Sequence, residues 1–270
     1  MNQIVNTKYL VKACEELSVP YEILDKNGNF LKISGEFFVN GRMPFNNGSL
    51  DTIARDKDFT HKLLENQIQM PKNIAYINPD CDQKYSSYIQ YKNLEEILDN
   101  VEENFNYPVV VKMNRGRMGI HVYKCDDRES TKKSFQNIFN QNQQNYDYIA
   151  LVQEYIEIEK EYRVIWFKEE IILLYEKKCE EKNLNMSPFH NEKSQAIFID
   201  DQEKKTEISQ FLSSSKDLKN FEYLGIDISE TKDGKKVLLE INTQPAFNFF
   251  VRDNSGEYLV EMYKKILKNI

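Results

Sequence analysis

Hydrophobic positions along this chain change period many times, and each change marks an element. Leu10, Ala13, Cys14 and Leu17 recur at helical spacing behind Thr7, which predicts a helix capped by Thr7 and ended by Pro20. YEILD and NFLKIS flank Asn27-Gly28 and read as a hairpin, with a further short strand at Phe37 to Val39. Gly41 to Asp51, rich in Asn, Gly, Pro and Ser, reads as a loop. Asp56 to Gln67 then predicts a helix with Phe59, Leu63 and Leu64 inward. Ile74 to Ile77 is a short strand, and Pro79 to Ser87 a polar loop. Asn93 caps a helix carrying Leu94, Ile97, Leu98 and Val101. Strands at Pro108 to Lys112 and Gly119 to Lys124 flank a glycine loop. Ser130 to Asn145 is helical, with Phe135, Ile138 and Phe139 inward and a polar tail.

The second half is strand-rich: YIALVQEYI, YRVIWFK and IILLYEKK follow one another. Cys179 to Lys193 lacks apolar periodicity and reads as a loop, Ile208 to Leu218 as a helix, and Glu257 to Leu267 as an amphipathic closing helix. No internal repeat is visible. Strands and helices do not alternate as βαβ units, so the class is α+β: two mostly antiparallel sheet lobes with helices on their outer faces.

Leu224 to Phe247 holds the strongest local signal. Asp233-Gly234 between two apolar runs predicts a hairpin. A two-residue loop there sets Asp227 opposite Glu240, Ile226 opposite Ile241, and Ile228 opposite Leu239. Ile226, Ile228, Leu239 and Ile241 then share an oily face, while Asp227, Glu240 and Asn242 share the other. Carboxylates directly opposite lie roughly 5 Å apart and repel. A hard divalent ion removes that objection, because Mg²⁺ takes oxygens from one or two carboxylates plus phosphates. On this reading Asp227→Asn leaves the metal-free protein as stable or slightly more so. The plainer alternative is a hairpin with a polar outer face.

The chain of 270 residues is long enough for one large domain or two or three lobes. Its net charge of -7 argues against binding nucleic acid through phosphate contacts. No apolar run suits a membrane span or a signal peptide. Cys14, Cys81, Cys125 and Cys179 stand apart, without CxxC or zinc spacing, which fits reduced thiols in a cytoplasm. His61, His121 and His190 are scattered and support no catalytic triad.

Lys112 ends the Val109-Val110-Val111 run and precedes a loop containing Gly116 and Gly119. An ammonium and loop amides there suit a phosphate. The loop lacks GxxxxGK[ST] and is not a P-loop. Arg115 and Arg117 add little, and a solvated strand-end lysine is the bland alternative. Lys57, in ARDKDFTHKLL, has no meaning alone. VQEYI joins the two sheet regions and could meet a planar ring through its backbone. Glu161 could accept ribose hydroxyls or be an exposed acid.

In this order, ARDKDFTHKLL, YPVVVKMNRGRMGIHV, LVQEYI…EYRV and LGIDI…VLLEINTQPAF resemble the ATP-grasp superfamily of carboxylate–amine ligases. The resemblance is strongest toward the ATP-grasp part of cyanophycin synthetase and bifunctional glutathione synthetase. Ribosomal-protein glutamate ligases and D-alanine–D-alanine ligase come next. It implies an ATP-grasp fold with a shortened N-terminal region at 1–50, a first lobe at 51–152 and a second at 153–270.

By the same resemblance, Lys57 and Lys112 contact ATP phosphates, and Gly116 and Gly119 belong to a loop that closes over them. Gln153, Glu154, Tyr155 and Ile156 hold adenine, and Glu161 the ribose. Asp227, Glu240 and Asn242 bind Mg²⁺, as one ion or two, with Mn²⁺ as a substitute. Lys177 or Lys178 supplies a further phosphate contact. The glycine loop departs from the family in carrying Arg115, Arg117 and Met118. Gly225 stands where D-alanine–D-alanine ligase has an arginine, and Asn248 and Phe250 where cyanophycin synthetase has an Arg and a His. Arg252, or else Lys193, is the candidate for the missing charge, so Lys112 and Arg252 are the expected catalytic cations.

The implied chemistry is amide or peptide bond formation through an acylphosphate, on small-molecule or peptide carboxylates and amines. A homo-oligomer stays open. An ATP-grasp kinase or phosphotransferase and a non-catalytic ATP-binding module are the alternatives.

Overall fold

In the computed structural model, residues 2–116, 119–143, 146–179 and 194–270 are described. Helix α1 (Val5–Leu17) starts at Ile4, without a side-chain cap, and Thr7 is buried inside it. The expected Thr7 cap is therefore corrected: its side chain serves packing. Strands β1 (Tyr21–Ile23), β2 (Phe30–Ile33) and β3 (Glu36–Val39) form a three-stranded antiparallel sheet. The expected loop at Gly41 to Asp51 ends early, because Asn47 caps α2 (Gly48–Arg55) by accepting from the Ser49 and Leu50 amides. Asp56 caps α3 (Lys57–Leu64). Leu64 points inward as expected, whereas Phe59 is 46% exposed.

The next sheet collects β4 (Asn73–Ile77), β5 (Val109–Met113), β6 (Val122–Cys125) and β7 (Ile149–Glu154) in the order β4-β7-β5-β6, all antiparallel. Helices α4 (Leu94–Asn104), capped by Asn93 as expected, and α5 (Arg128–Ile138) bury Ile97, Leu98, Val101, Phe135 and Ile138 against it. The helix expected to reach Asn145 ends at Ile138, before its polar tail at 140–145, of which residues 144–145 lie outside the described residues.

The largest sheet contains β8 (Ile158–Phe167), β9 (Glu170–Cys179) and β10 (Ser194–Phe198), and the hairpin strands β11 (Tyr223–Thr231) and β12 (Lys236–Asn242). Their order is β10-β9-β8-β11-β12. Helix α6 (Gln202–Leu212) is capped by Asp201, so it starts and ends earlier than its apolar spacing suggests. Strand β10 and the short α7 (Asn248–Asp253) carried no sequence signal, while α8 (Glu257–Leu267) lies where expected. The loop expected at Cys179 to Lys193 falls, from 180 onward, outside the described residues. No helix among the described residues is long and apolar enough to cross a membrane.

Two cores cover the faces of the largest sheet. On one, α1, the N-terminal strands and α8 bury Leu10, Leu31, Phe38, Tyr263 and Ile266 with Ile165 and Tyr175. On the other, Ala54, Leu64 and Ile68 pack with Val164, Ile226 and Leu238. Helices α2 and α3 thus belong to the packing of the larger sheet, although they precede the smaller one in sequence.

The hairpin corrects its own expected register. Thr231 N–H donates to the Lys235 carbonyl, and Gly234 has φ +76°, so the loop has three residues rather than two. Ile228 then pairs with Leu238, not Leu239. A β-bulge follows, in which Leu239 has no partner, and the ladder resumes with Asp227 opposite Glu240 and Ile226 opposite Ile241. The two one-residue offsets cancel at the carboxylates. Leu238 is in the core, and Leu239 is displaced from it.

Candidate active site

The four-stranded sheet, helix α3 and strand β12 enclose a cleft lined by Lys57, Thr60, Pro71, Lys112, Gln153, Leu239 and Glu240, among others. Strand alternation buries Val109, Val111 and Met113, so Lys112 leaves the opposite face of β5. Its Nζ donates to Gln153 Oε1 at 2.5 Å. Burial and the like charge of Lys57 hold the Lys112 ammonium down at about 8, against the opposing pull of Glu240.

Lys57 begins α3, where the helix dipole disfavours a cation and favours an anion. Its Nζ donates to the Gly116 carbonyl at 2.8 Å and lies 3.8 Å from Glu240 Oε1. Asn114, fully buried, accepts the Asp58 amide and leaves its own Nδ2 without a partner. The side-chain oxygen of Asn73, which does line the cleft, is also buried without a partner among the described residues. A donor brought by a ligand would relieve it.

Across the cleft, Asp227 on β11 lies between Glu240 on β12 and Arg163 on β8. Arg163 donates to both Asp227 oxygens, at 2.5 and 2.8 Å. Lys177 Nζ is 2.6 Å from Asp227 and 2.8 Å from Glu161. Burial would push the Asp227 carboxyl up, but Arg163 and Lys177 outweigh it and hold the group at about 2. The expected repulsion between Asp227 and Glu240 in the free protein is therefore corrected: two cations already compensate Asp227.

The exposed-acid alternative for Glu161 is corrected as well: the residue is 6% exposed, and burial raises its carboxyl against the pull of Lys177. Of the lysine pair, Lys177 faces the cluster and Lys178 is exposed. Gln153 turns inward to Lys112, while Glu154 accepts the Lys72 amide at 2.7 Å. Tyr155 lies under the Lys124 ammonium, and Ile156 is half-buried in the connection to β8. Gly116 and Gly119 flank residues 117–118, which lie outside the described residues, as does Lys193.

Arg252, expected as a catalytic cation, is engaged elsewhere. It bonds Asp253 and the Ser194 carbonyl and stacks over Phe249, among contacts that include none of Asp227, Glu240 and Asn242. The guanidinium beside the carboxylates is Arg163, which sequence reasoning held only as a letter in EYRV. Gly225 makes room for it: a Cβ there would lie 2.7 Å from Pro245 Cβ and 3.5 Å from Arg163 Nη1.

Among the described residues, no group of three or more His, Cys, Asp or Glu could hold a metal ion. The candidate set is two carboxylates and an amide. Glu240 accepts no hydrogen bond among the described residues, and its side chain is 38% exposed. Among the described residues Asn242 Oδ1 accepts only the Gln244 amide, at 2.9 Å. An all-oxygen set with an uncommitted carboxylate fits a hard divalent ion that draws its remaining ligands from a phosphate.

Comparison with known proteins identifies the family of the chain. A family model described as a RimK-like ATP-grasp domain matches residues 54–270. The coenzyme gamma-F420-2:alpha-L-glutamate ligase of Methanococcus maripaludis is 25% identical over 228 residues, covering 82% of this chain and 67% of that protein. The alpha-aminoadipate–LysW ligase LysX of Sulfurisphaera tokodaii is 24% identical over 221 residues, covering 80% and 69%. Among solved structures, the D-Ala:D-Ser ligase VanG of Enterococcus faecalis superposes with a TM-score of 0.57 at 16% identity, which speaks for the fold. That match covers 80% of this chain, which spans only 62% of the VanG chain.

Proposed function

The chain belongs to the RimK-like ATP-grasp family, and from that premise we propose that it is an ATP-dependent carboxylate–amine ligase acting on an amino acid or peptide. One observation carries the reading. Lys57 and Lys112 converge on the same cleft as Glu240, with Lys57 Nζ 3.8 Å from that carboxylate. Cations for phosphates and one carboxylate for a metal ion thus line one cleft.

In this reading ATP lies in the cleft with its phosphates against Lys57 and Lys112. The Gln153 to Ile156 connection supports the adenine, and Leu239 supplies an apolar wall. Gly116 and Gly119 belong to the loop over the phosphates. Asp227, Glu240 and Asn242 would hold Mg²⁺, which neutralises phosphate charge when bound. Arg163 and Lys177 orient Asp227 and keep it ionised.

A substrate carboxylate oxygen attacks the γ-phosphorus, the bond to ADP breaks, and an acylphosphate forms. Lys57 and Lys112 hold the phosphoryl oxygens while charge redistributes, so these residues contribute by position and charge. An amine nitrogen then attacks the acyl carbon. Phosphate leaves, the nitrogen loses a proton, and an amide remains. Residues 1–50 stand on the acceptor side, and 51–152 and 153–270 supply the two ATP-grasp lobes, with α2 and α3 of the first stretch packed on the sheet of the second.

The names of the two curated relatives contain glutamate and alpha-aminoadipate, amino acids with a second carboxylate. We take such an acid as the amine substrate. A screen of amino-acid and peptide pairs for ADP release, read by mass spectrometry, tests the assignment. Amine-dependent release with a new amide mass is expected. Phosphate transfer to a hydroxyl, or ATP binding without turnover on any pair, overturns it.

A further inference from the structure

The family match begins at residue 54, so it assigns nothing to the segment before it. That segment is nevertheless bonded to the loop that follows Asn242. Arg42 Nη1 lies 3.1 Å from Asp51 Oδ2, and Nη2 lies 3.4 Å from Gln244 Oε1. Asp51 Oδ1 accepts from Thr243 Oγ1 at 2.5 Å. Gln244 Nε2 donates to the Asn40 carbonyl at 2.5 Å. Thr243 and Gln244 directly follow Asn242, so these contacts sit beside the proposed metal ligands.

The charges here do not balance locally. Arg55 Nε is 3.0 Å from the same Asp51 oxygen, yet its geometry leaves it buried without a hydrogen-bond acceptor. Two guanidinium groups therefore share one carboxylate. Arg42 is a five-donor fork whose contacts with Asp51 and Gln244 leave N–H groups uncommitted among the described residues, and its side chain is 39% exposed. Such a fork, anchored through one edge, presents the rest to a carboxylate in bidentate geometry.

We propose that Arg42, with Arg55 beside it, is the specificity-determining cation of the acceptor side and holds a carboxylate of the amine substrate that does not react. The assignment rests on the ligase reading. It gives the segment outside the family match a role in substrate choice, and it places a positive charge beside Gln244, two residues after Asn242, from an element far away in sequence.

The test is steady-state phosphate release with Mg-ATP, the carboxylate partner found by the screen, and three matched amines: L-glutamate, L-glutamine and L-isoglutamine. Wild type should prefer L-glutamate to at least one neutral analogue. Arg42→Ala should raise KM for L-glutamate by about tenfold or more and erase that preference, while KM for ATP changes by less than about twofold. Arg42→Lys should recover part of the preference. Should Arg42→Ala fail to fold, Arg42→Gln keeps a hydrogen bond toward Asp51 without the charge and serves the same comparison.

An unchanged preference in a variant that still turns over overturns the inference and leaves the ligase reading intact. A parallel loss of kcat, ATP affinity and melting temperature marks the network as a structural tie and also overturns it. Absence of amine-dependent turnover in wild type, with every amine, overturns the ligase reading and this inference together.

Discussion

Arg163 and Asp227 meet edge to edge across adjacent strands, Nε to Oδ1 at 2.5 Å and Nη2 to Oδ2 at 2.8 Å. Both side chains are largely buried, at 14% and 13% exposure. Breaking such a pair leaves a guanidinium uncompensated. Asp227→Asn should therefore destabilise the free protein by about 3 kcal/mol and lose turnover. Glu240→Gln, on a half-exposed group, should stay within about 0.5 kcal/mol of wild type and lose turnover too. Thermal melts paired with turnover assays check both; a stabilised Asp227→Asn or an active Glu240→Gln contradicts the site.

Lys112 gives up its proton more readily than an ordinary lysine in the free protein, held at about 8 by burial and by Lys57. Below that pH it is charged and ready for a phosphate. Around pH 8 part of the population must take up a proton as ATP binds. Calorimetry in two buffers of different ionisation enthalpy should give different binding heats near pH 8 and converging ones about two pH units lower. Lys112→Ala should weaken ATP binding and abolish the buffer dependence. Equal heats at both pH values would rule out the proton uptake.

Leu239 borders the cleft and takes no part in the ladder. Leu239→Ala should raise Kd for Mg-ATP about fivefold, the loss of about 1 kcal/mol of apolar contact, with little change in melting temperature. A large drop in stability with unaltered nucleotide binding would return Leu239 to the core.

Gly225 has no room for a methyl group, which would meet Pro245 Cβ at 2.7 Å and approach Arg163 Nη1. Gly225→Ala should cost about 1–3 kcal/mol and lower kcat by disturbing Arg163. Wild-type stability and rate would show that Pro245 yields.

What could be read from the sequence is what adjacent segments decide. The facing of Asp227 and Glu240 follows from one hairpin, and Lys112 from the alternation of one strand. Even there the route differed, because turn length and bulge were each missed by one residue and cancelled. Lys57 was named only through resemblance; its place at Glu240 depends on how α3 packs. Arg163 reaches Asp227 from 64 residues away, and Asp51 meets Thr243 across 192. No periodicity reports such pairings, since they are settled by which strands and loops become neighbours. Arg252 failed for the same reason: closeness in sequence to β12 gave no indication that Ser194 and Asp253 would take its guanidinium.

The three-residue turn at Lys232 to Gly234 and the bulge at Leu239 have a joint consequence for how this protein can change over generations. Exposed turns ordinarily tolerate gain or loss of a codon. A codon gained or lost inside this turn is absorbed there while Thr231 stays paired with Lys235, but one lost between Lys235 and Glu240 removes the bulge and takes Leu239 from the cleft. The count of residues from Lys235 to Glu240 is thus inherited with the chemistry of Asp227 and Glu240, and lineages should vary the letters of that stretch more freely than its length.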